Sequence, residues 1–178
     1  MIIFVVYSAL KGGVNGLKIK CRALALLKIN NMPYIRIWVH LVWATKSRKP
    51  FLNDKIRQTV FDHIAENAKI KNIQLDIIDG YNDHIHCLLR INSDQNIATI
   101  VQLLKGESSF WINKKGLMKH KFEWQDEYFA VSVSESQLDR VRKYILNQEI
   151  HHKKKTFQEE YSEFIKNFNF ETSDRQKS

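Results

Sequence analysis

The sequence predicts an α+β domain in which four strands form a single antiparallel sheet, and three observations lead to that fold class. Four short stretches alternate apolar and polar residues, as half-buried strands do. Longer stretches carry apolar residues three and four positions apart, which is the spacing of amphipathic helices. The chain has 178 residues, 44% hydrophobic and 26% charged, which supports a packed core and excludes wholesale disorder.

The four predicted strands share the period-two alternation. The first spans 34–44, and the second begins at Ile73. A turn at 79–83, which contains Gly80, leads into the third strand at 84–91, as in a hairpin. The fourth strand is predicted at 128–133.

Three helices are predicted from apolar spacing and from residues that can cap helix ends. Asn53 is the expected N-cap of the first helix, and Ser93 or Asp94 that of the second. The third is a long C-terminal helix from Gln137 onward. The first six elements follow the order β-α-β-β-α-β, which is the ferredoxin-like (RRM-like) arrangement. In that arrangement two helices cover one face of the sheet, and the first and third strands are central.

The domain organisation is predicted from shifts in composition. Residues 1–31 contain five basic residues and no acidic one, and we expect an accessory or non-native N-terminal extension, with Met32 as the natural start. The main domain is predicted at 32–171, and the polar tail at 172–178 is expected to be disordered. The sequence has no apolar run near the roughly 20 residues of a membrane span. Two cysteines are too few for a disulfide framework, so a cytoplasmic location is expected.

Positive charge is only locally informative. The net charge is +9, and residues 1–31 carry more than half of it. Basic residues that could contact nucleic acid occur in two predicted loops: Lys46, Arg48 and Lys49, and then Lys114 and Lys115 followed by Lys119 and Lys121. Aromatic residues that could stack on bases are Trp38, Trp43, Phe110 and Trp111, of which Trp111 has the helical spacing of a core residue. The alternative for both basic loops is an ordinary solvated surface.

Two histidines on the third strand form a candidate metal site. Period-two alternation places His84 and His86 on one face, about 7 Å apart along the strand. Two imidazoles at that spacing can hold one divalent ion. Two surface or hydrogen-bonded histidines are the alternative.

The last helix carries a tyrosine and a glutamine one turn apart. Tyr144 and Gln148 therefore lie on the same helix face. A tyrosine can act as a nucleophile, and a glutamine carbonyl can bind a hard cation. The alternative for Tyr144 is a core aromatic beside Val141 and Ile145.

Taken together, the motifs resemble a known family. The resemblance is carried by residues 40–46, 83–88, 104–113 and 143–148, and it extends over about 32–170. The chain resembles the HUH single-tyrosine transposases of bacterial insertion sequences of the "two-hundred" type, and the related REP-associated tyrosine transposases.

The resemblance implies a mechanism and a set of partners. His84, His86 and Gln148 would bind Mg²⁺ or Mn²⁺, and Tyr144 would be the nucleophile. The enzyme would cleave and rejoin single-stranded DNA near hairpins through a 5′-phosphotyrosine intermediate. Family members are homodimers whose tyrosine can complete the partner's site, so Tyr144 is expected to be able to lie far from the histidines of its own subunit.

Three other functions stay open at this stage. A REP-associated protein would use the same chemistry on genomic palindromes. A non-catalytic single-stranded nucleic-acid-binding module would present aromatics on its sheet, as Trp38 and His40 on one strand face suggest. A small-molecule metalloenzyme is the third, although no substrate motif supports it.

Overall fold

The structure, a computed structural model, describes residues 35–148 together with Glu159 and Ser162. The predicted extension at 1–31 and the predicted tail at 172–178 lie outside the described residues. The described elements are β1 (Ile37–Ala44), α1 (Arg57–Ile70), β2 (Gln74–Gly80), β3 (His84–Ile91), α2 (Ile97–Lys115), β4 (Phe129–Val133) and α3 (Leu138–Leu146), with short 3₁₀ turns at Lys46–Arg48 and Glu135–Gln137.

The four strands form one sheet in the order β2-β3-β1-β4, and every neighbouring pair is antiparallel. The α+β class with a four-stranded antiparallel sheet is therefore confirmed, and the strand order is that of the ferredoxin-like arrangement. In the central pair, Val42 lies opposite His86 and Ala44 opposite His84. Residues that are directly opposite each other share a sheet face, so this register decides what surrounds the two histidines.

One face of the sheet, here called the core face, packs against α1 and α2. Its strand residues include Leu41, Trp43, Ile85, Cys87 and Leu89, and the helices contribute Val60, Ile64, Ala68, Ile100, Leu104 and Ile112. Trp43 is 1% exposed, so its prediction as a base-stacking residue is wrong. Cys87 is fully buried, and burial raises the pKa of its thiol, as expected of a small buried hydrophobe.

The opposite face, here called the site face, carries Trp38, His40, His84, His86 and Leu88 and is partly covered by α3. Leu138 and Ile145 of α3 pack on Leu88, with Trp38, Ile77, Val133, Val141 and Tyr144 around them. The helix is anchored by Arg142, whose Nε donates to Asp76 Oδ2 at 2.7 Å. The α3 helix ends at Leu146, and the part of the predicted long helix that follows Gln148 lies outside the continuous described range.

The helix starts differ from the predicted caps. Asn53 Oδ1 accepts a hydrogen bond from Lys55 N in a turn, and α1 begins only at Arg57. The α2 helix is capped by Asn96, whose Oδ1 accepts from Thr99 N at 2.8 Å, and not by Ser93 or Asp94. Asn, Asp and Ser all suit turns as well as caps, so their order in the chain does not decide which one caps. Within the described residues, no helix is long and apolar enough to span a bilayer.

Candidate active site

The two histidines of β3 lie on the site face and are buried beneath α3. His84 is 0% exposed and His86 is 2% exposed. A buried imidazole needs hydrogen-bond partners or another ligand for its ring nitrogens. The partners of each ring therefore indicate what the site can bind.

His84 is oriented by the neighbouring carboxylate. Its Nδ1 lies 2.7 Å from Asp83 Oδ1, and because a carboxylate only accepts, Nδ1 carries the hydrogen. In the neutral ring, Nε2 then keeps its lone pair, and this atom faces Gln148 Oε1 at 3.5 Å. The Gln148 amide is turned this way because its Nε2 donates to Tyr144 O at 3.4 Å.

The contact between His84 and Gln148 joins two electron-pair donors. A nitrogen lone pair and an amide oxygen at 3.5 Å do not form a strong hydrogen bond with each other. Both are completely buried, so water does not reach them freely. A cation could bind both a ring nitrogen and an amide oxygen placed in this way, so the arrangement fits a metal ion.

His86 is bonded to a histidine that the site prediction missed. His86 Nδ1 lies 3.0 Å from Nε2 of His40 on β1. His40 is 4% exposed, and burial lowers its pKa to about 4, so the ring is neutral at physiological pH. The sequence placed His40 on the same strand face as Trp38, and the expected adjacency of β1 and β3 was the available signal for a contact with His86.

Tyr144 lies over the histidines of its own chain. Its ring centroid is 5.6 Å from that of His86 and 6.0 Å from that of His40, with the rings nearly perpendicular in both pairs. In this structure Tyr144 is near the histidines of its own chain, because α3 packs across the site face; a placement in the partner's site stays a prediction. Tyr144 is partly buried and also packs against Leu88 and Ile145, so the core interpretation describes part of its environment.

The predicted DNA-contacting residues lie in the turn that follows β1 and in the last turn of α2. Lys46 Nζ pairs with Asp126 Oδ2 at 2.9 Å, and this hydrogen bond raises the pKa of the lysine. Lys49 is exposed, with Nζ 6.0 Å from the Phe51 ring centre.

The other two predicted lysines, Lys114 and Lys115, are exposed in the last turn of α2. Lys114 Nζ lies 5.7 Å from the ring centre of Phe110, which is 65% exposed. Trp111, by contrast, is half-buried against the core and stacks on His63, in keeping with its helical spacing.

A cavity of about 450 Å³ lies at the end of β1. Val42 and Ala44, the cross-strand neighbours of His86 and His84, form part of its wall. Arg48 and Tyr128 also line it, so one of the predicted DNA-contacting residues borders this cavity.

Comparison with known proteins identifies the family. Residues 34–148 match the model of the IS200-like transposases over more than half of the chain. The chain belongs to the IS200-like transposase family. The recognition made from its motifs is therefore confirmed at the level of this transposase family.

Individual relatives agree with this assignment. The ISDra2 transposase TnpA of Deinococcus radiodurans is 26% identical over 114 residues, which cover 61% of this chain and 81% of that protein. A solved structure of a candidate transposase from Deinococcus radiodurans R1 has a TM-score of 0.54 at 26% identity and covers 65% of this chain and 93% of its own. A REP-associated tyrosine transposase bound to a REP hairpin has a TM-score of 0.52 and covers 67% of this chain and 71% of its own; at 15% identity it supports the fold alone.

Gly80, the last residue of β2, lies against the backbone at the start of β3, and its replacement is expected to disturb the site. A Cβ at Gly80 would overlap the carbonyl oxygen of His84 and lie 2.9 Å from Ile85 Cα. These are backbone atoms, so we expect Gly80→Ala to cost about 1–3 kcal/mol of unfolding free energy. Urea denaturation measures this cost. Gly106→Ala on α2, where a Cβ meets nothing within 4 Å, is the control and should not destabilise the protein. Equal stability of the two variants would contradict the close approach.

Proposed function

We propose that this transposase cleaves and rejoins single-stranded DNA near hairpins, with Tyr144 as the nucleophile and with His84, His86 and Gln148 as ligands of Mg²⁺ or Mn²⁺. One observation carries the proposal. Two buried imidazoles, a buried amide oxygen and a helix-borne phenol converge on the site face of one chain.

The donor set fits the proposed ions. Imidazole nitrogen and amide oxygen both bind Mn²⁺, while Mg²⁺ accepts the oxygen more readily than the nitrogen. Asp83 orients His84 in the way that outer carboxylates orient metal-binding histidines. When bound, such an ion would polarise the non-bridging oxygens of the scissile phosphate and stabilise the charge that develops there.

Tyr144 would supply the attacking oxygen. A phenol with a pKa near 10 is a weak nucleophile until it loses its proton. Its oxygen would attack phosphorus, forming the bond from Tyr144 to the 5′-phosphate and breaking the bond from phosphorus to the 3′-oxygen, which takes up a proton and leaves as a 3′-hydroxyl. A 3′-hydroxyl can later reverse the step, so no ATP is needed.

The structure favours this enzyme over a sheet-surface binding module. In an RRM-type binder the aromatic sheet face is open to bases. Here α3 packs on that face, His40 is 4% exposed, and the Arg142 guanidinium lies 5.7 Å from the Trp38 ring centre. A REP-type role on genomic palindromes uses the same site and differs only in the DNA recognised.

A homodimer belongs to the proposal, as the resemblance implies. The placement of Tyr144 beside His86 within one chain means that a subunit in this conformation holds its own set of site residues. Whether the tyrosine works on its own subunit or on the partner is a question that mixed variants answer, as the Discussion describes.

The proposal is tested by the formation of a covalent adduct. Purified protein is mixed with labelled single-stranded DNA from both flanks of its gene, with Mn²⁺, Mg²⁺ or EDTA. A denaturing gel then shows whether label migrates with the protein. We expect a metal-dependent adduct on a strand that carries a hairpin. Tight hairpin binding without any adduct would contradict cleavage and favour a binding role.

The exposed pair of Phe110 and Lys114 is expected to bind single-stranded DNA. A lysine can neutralise a phosphate while a neighbouring ring stacks on a base. We expect Lys114→Gln to reduce the salt dependence of binding by about 0.7 in the log–log slope. Phe110→Ala is expected to weaken binding by about 1–3 kcal/mol. Fluorescence anisotropy at several salt concentrations measures both effects, with Lys71→Gln, at the exposed residue that follows α1, as the matched control. A control slope that falls as much as that of Lys114→Gln would refute a specific contact.

A further inference from the structure

His86, the second metal-binding histidine of the proposed site, is hydrogen-bonded to another histidine, His40. We infer that His40 is a positioning residue, which accepts a hydrogen bond from Nδ1 of His86 and so leaves Nε2 of His86 as the ligand atom. This inference rests on the proposed function for the ligand role of His86.

The contact between the two rings is a hydrogen bond in the ring plane. The two nitrogens are 3.0 Å apart, the ring centroids are 5.2 Å apart, and the ring planes differ by only 25°. A 3.0 Å distance between the nitrogens fits a 5.2 Å distance between the centroids only if both nitrogens lie close to the line that joins the centroids. The rings therefore meet edge to edge and do not lie face to face. Both rings are buried, so the bond is shielded from competing water.

Only one direction of this bond permits metal binding. A neutral imidazole has one N–H and one lone pair. If His40 Nε2 donated, Nδ1 of His86 would be the acceptor and Nε2 of His86 would carry the hydrogen, which blocks a metal there. If His86 Nδ1 donates to His40 Nε2, the lone pair of His86 lies on Nε2, and His40 keeps its own hydrogen on Nδ1.

The two proposed ligands are then held by different partners, Asp83 in the turn before β3 and His40 on β1. His84 donates to the carboxylate of Asp83 at 2.7 Å, and His86 donates to the neutral ring of His40 at 3.0 Å. Outer partners of this kind hold the ligand tautomer and the ring orientation. A neutral partner adds no negative charge to the site, so His40 would position His86 without the electrostatic contribution that Asp83 makes.

The inference is tested first by NMR on the metal-free protein, which does not depend on activity. Long-range ¹H–¹⁵N correlation spectra distinguish the two imidazole tautomers, and His86 is assigned by comparison with His86→Gln. We expect the Nδ1–H tautomer of His86 in the wild type. In His40→Leu, which removes the acceptor, we expect the Nε2–H form to appear. In His40→Gln, a side-chain carbonyl near the position of Nε2 should restore the Nδ1–H form.

Mn²⁺ affinity in the absence of DNA, measured by EPR, is the second readout. His40→Leu should lower it by about 10–100-fold, and His40→Gln should recover most of the loss. His63→Leu, on α1 against the core face, is the matched control and should change neither the His86 tautomer nor the affinity. A general loss of packing would affect the His40→Leu and His40→Gln variants alike. Recovery of Mn²⁺ affinity in His40→Gln alone therefore indicates that His40 positions His86.

The outcomes separate this inference from the proposed function. An Nε2–H tautomer of His86 in the wild type, or a His40→Leu protein with an unchanged tautomer and unchanged Mn²⁺ affinity, would overturn the role of His40. A wild-type protein with the expected tautomer that binds no Mn²⁺ would refute the metal site and support the hydrogen-bond direction.

Discussion

Tyr144→Phe is expected to abolish the covalent protein–DNA adduct and to leave single-stranded DNA binding unchanged. The variant keeps the ring, which packs on Leu88 and Ile145 and lies 5.6 Å from His86, and it removes only the hydroxyl. Loss of a nucleophile lowers the rate by about 10³-fold or more. Unfolding free energy should change by less than about 0.5–1 kcal/mol, since the side chain stays in place.

The measurement is the denaturing-gel adduct assay beside an anisotropy titration with the same DNA. Tyr81→Phe is the matched control, because Tyr81 is a half-buried tyrosine in the turn between β2 and β3 and has no proposed role in the chemistry. We expect normal adduct formation in the control. An adduct that persists in Tyr144→Phe would show that the nucleophile is misassigned.

His84→Ala is expected to reduce metal affinity and DNA cleavage together. The substitution removes a ring nitrogen that faces Gln148 Oε1 at 3.5 Å and leaves Asp83 without its imidazole partner. Loss of a direct ligand should cost at least the roughly 10–100-fold in affinity that loss of an outer partner costs. Mn²⁺ titration by EPR and the adduct assay measure the two effects, and circular dichroism checks the fold.

His63, on helix α1 at the core face of the sheet, provides the control. His63→Ala removes a ring that stacks on Trp111 and bonds to Glu107, far from the site face in the layer order of the fold. It should keep Mn²⁺ binding and adduct formation. If His63→Ala lost metal as fully as His84→Ala, the metal would have to be placed elsewhere.

The same two site variants also decide whether subunits share their sites. Tyr144→Phe lacks the nucleophile and His84→Ala lacks a ligand, so neither should form an adduct alone. Co-expressed as mixed dimers, they regain activity only if the tyrosine of one subunit acts at the histidines of the other. The placement seen within one chain leads us to expect no recovery in the conformation described here.

Local spacing was enough to predict the elements and the residue types of the site. The strand alternation correctly separated Leu41 and Trp43 from Trp38 and His40, because successive side chains of a strand point to opposite faces whatever lies around them. The same rule placed His84 and His86 together, and one helical turn placed Tyr144 and Gln148 together. These are properties of neighbouring residues, so the sequence alone contains them.

The first residues of the helices and the exposure of aromatic side chains could not be predicted from local spacing. Asn53, Ser93 and Asp94 are good capping residues by type, yet the helices begin at Arg57 and after Asn96. Likewise an aromatic residue is available for DNA only if the packing leaves it outside. Phe110 is 65% exposed, whereas Trp43 fills the core between the sheet and its helices.

The arrangement of the site as a whole was decided by the tertiary structure. His40 and His86 are 46 positions apart, and they meet because β1 and β3 pair in a register that places both on the site face. Tyr144 reaches His86 because Arg142 on Asp76 and Leu138 on Leu88 anchor α3 across that face. The sequence by itself determined which groups could perform the chemistry. Strand register and helix packing decided which of them touch, because contacts between distant segments depend on the free energy of the whole packed core rather than on local spacing.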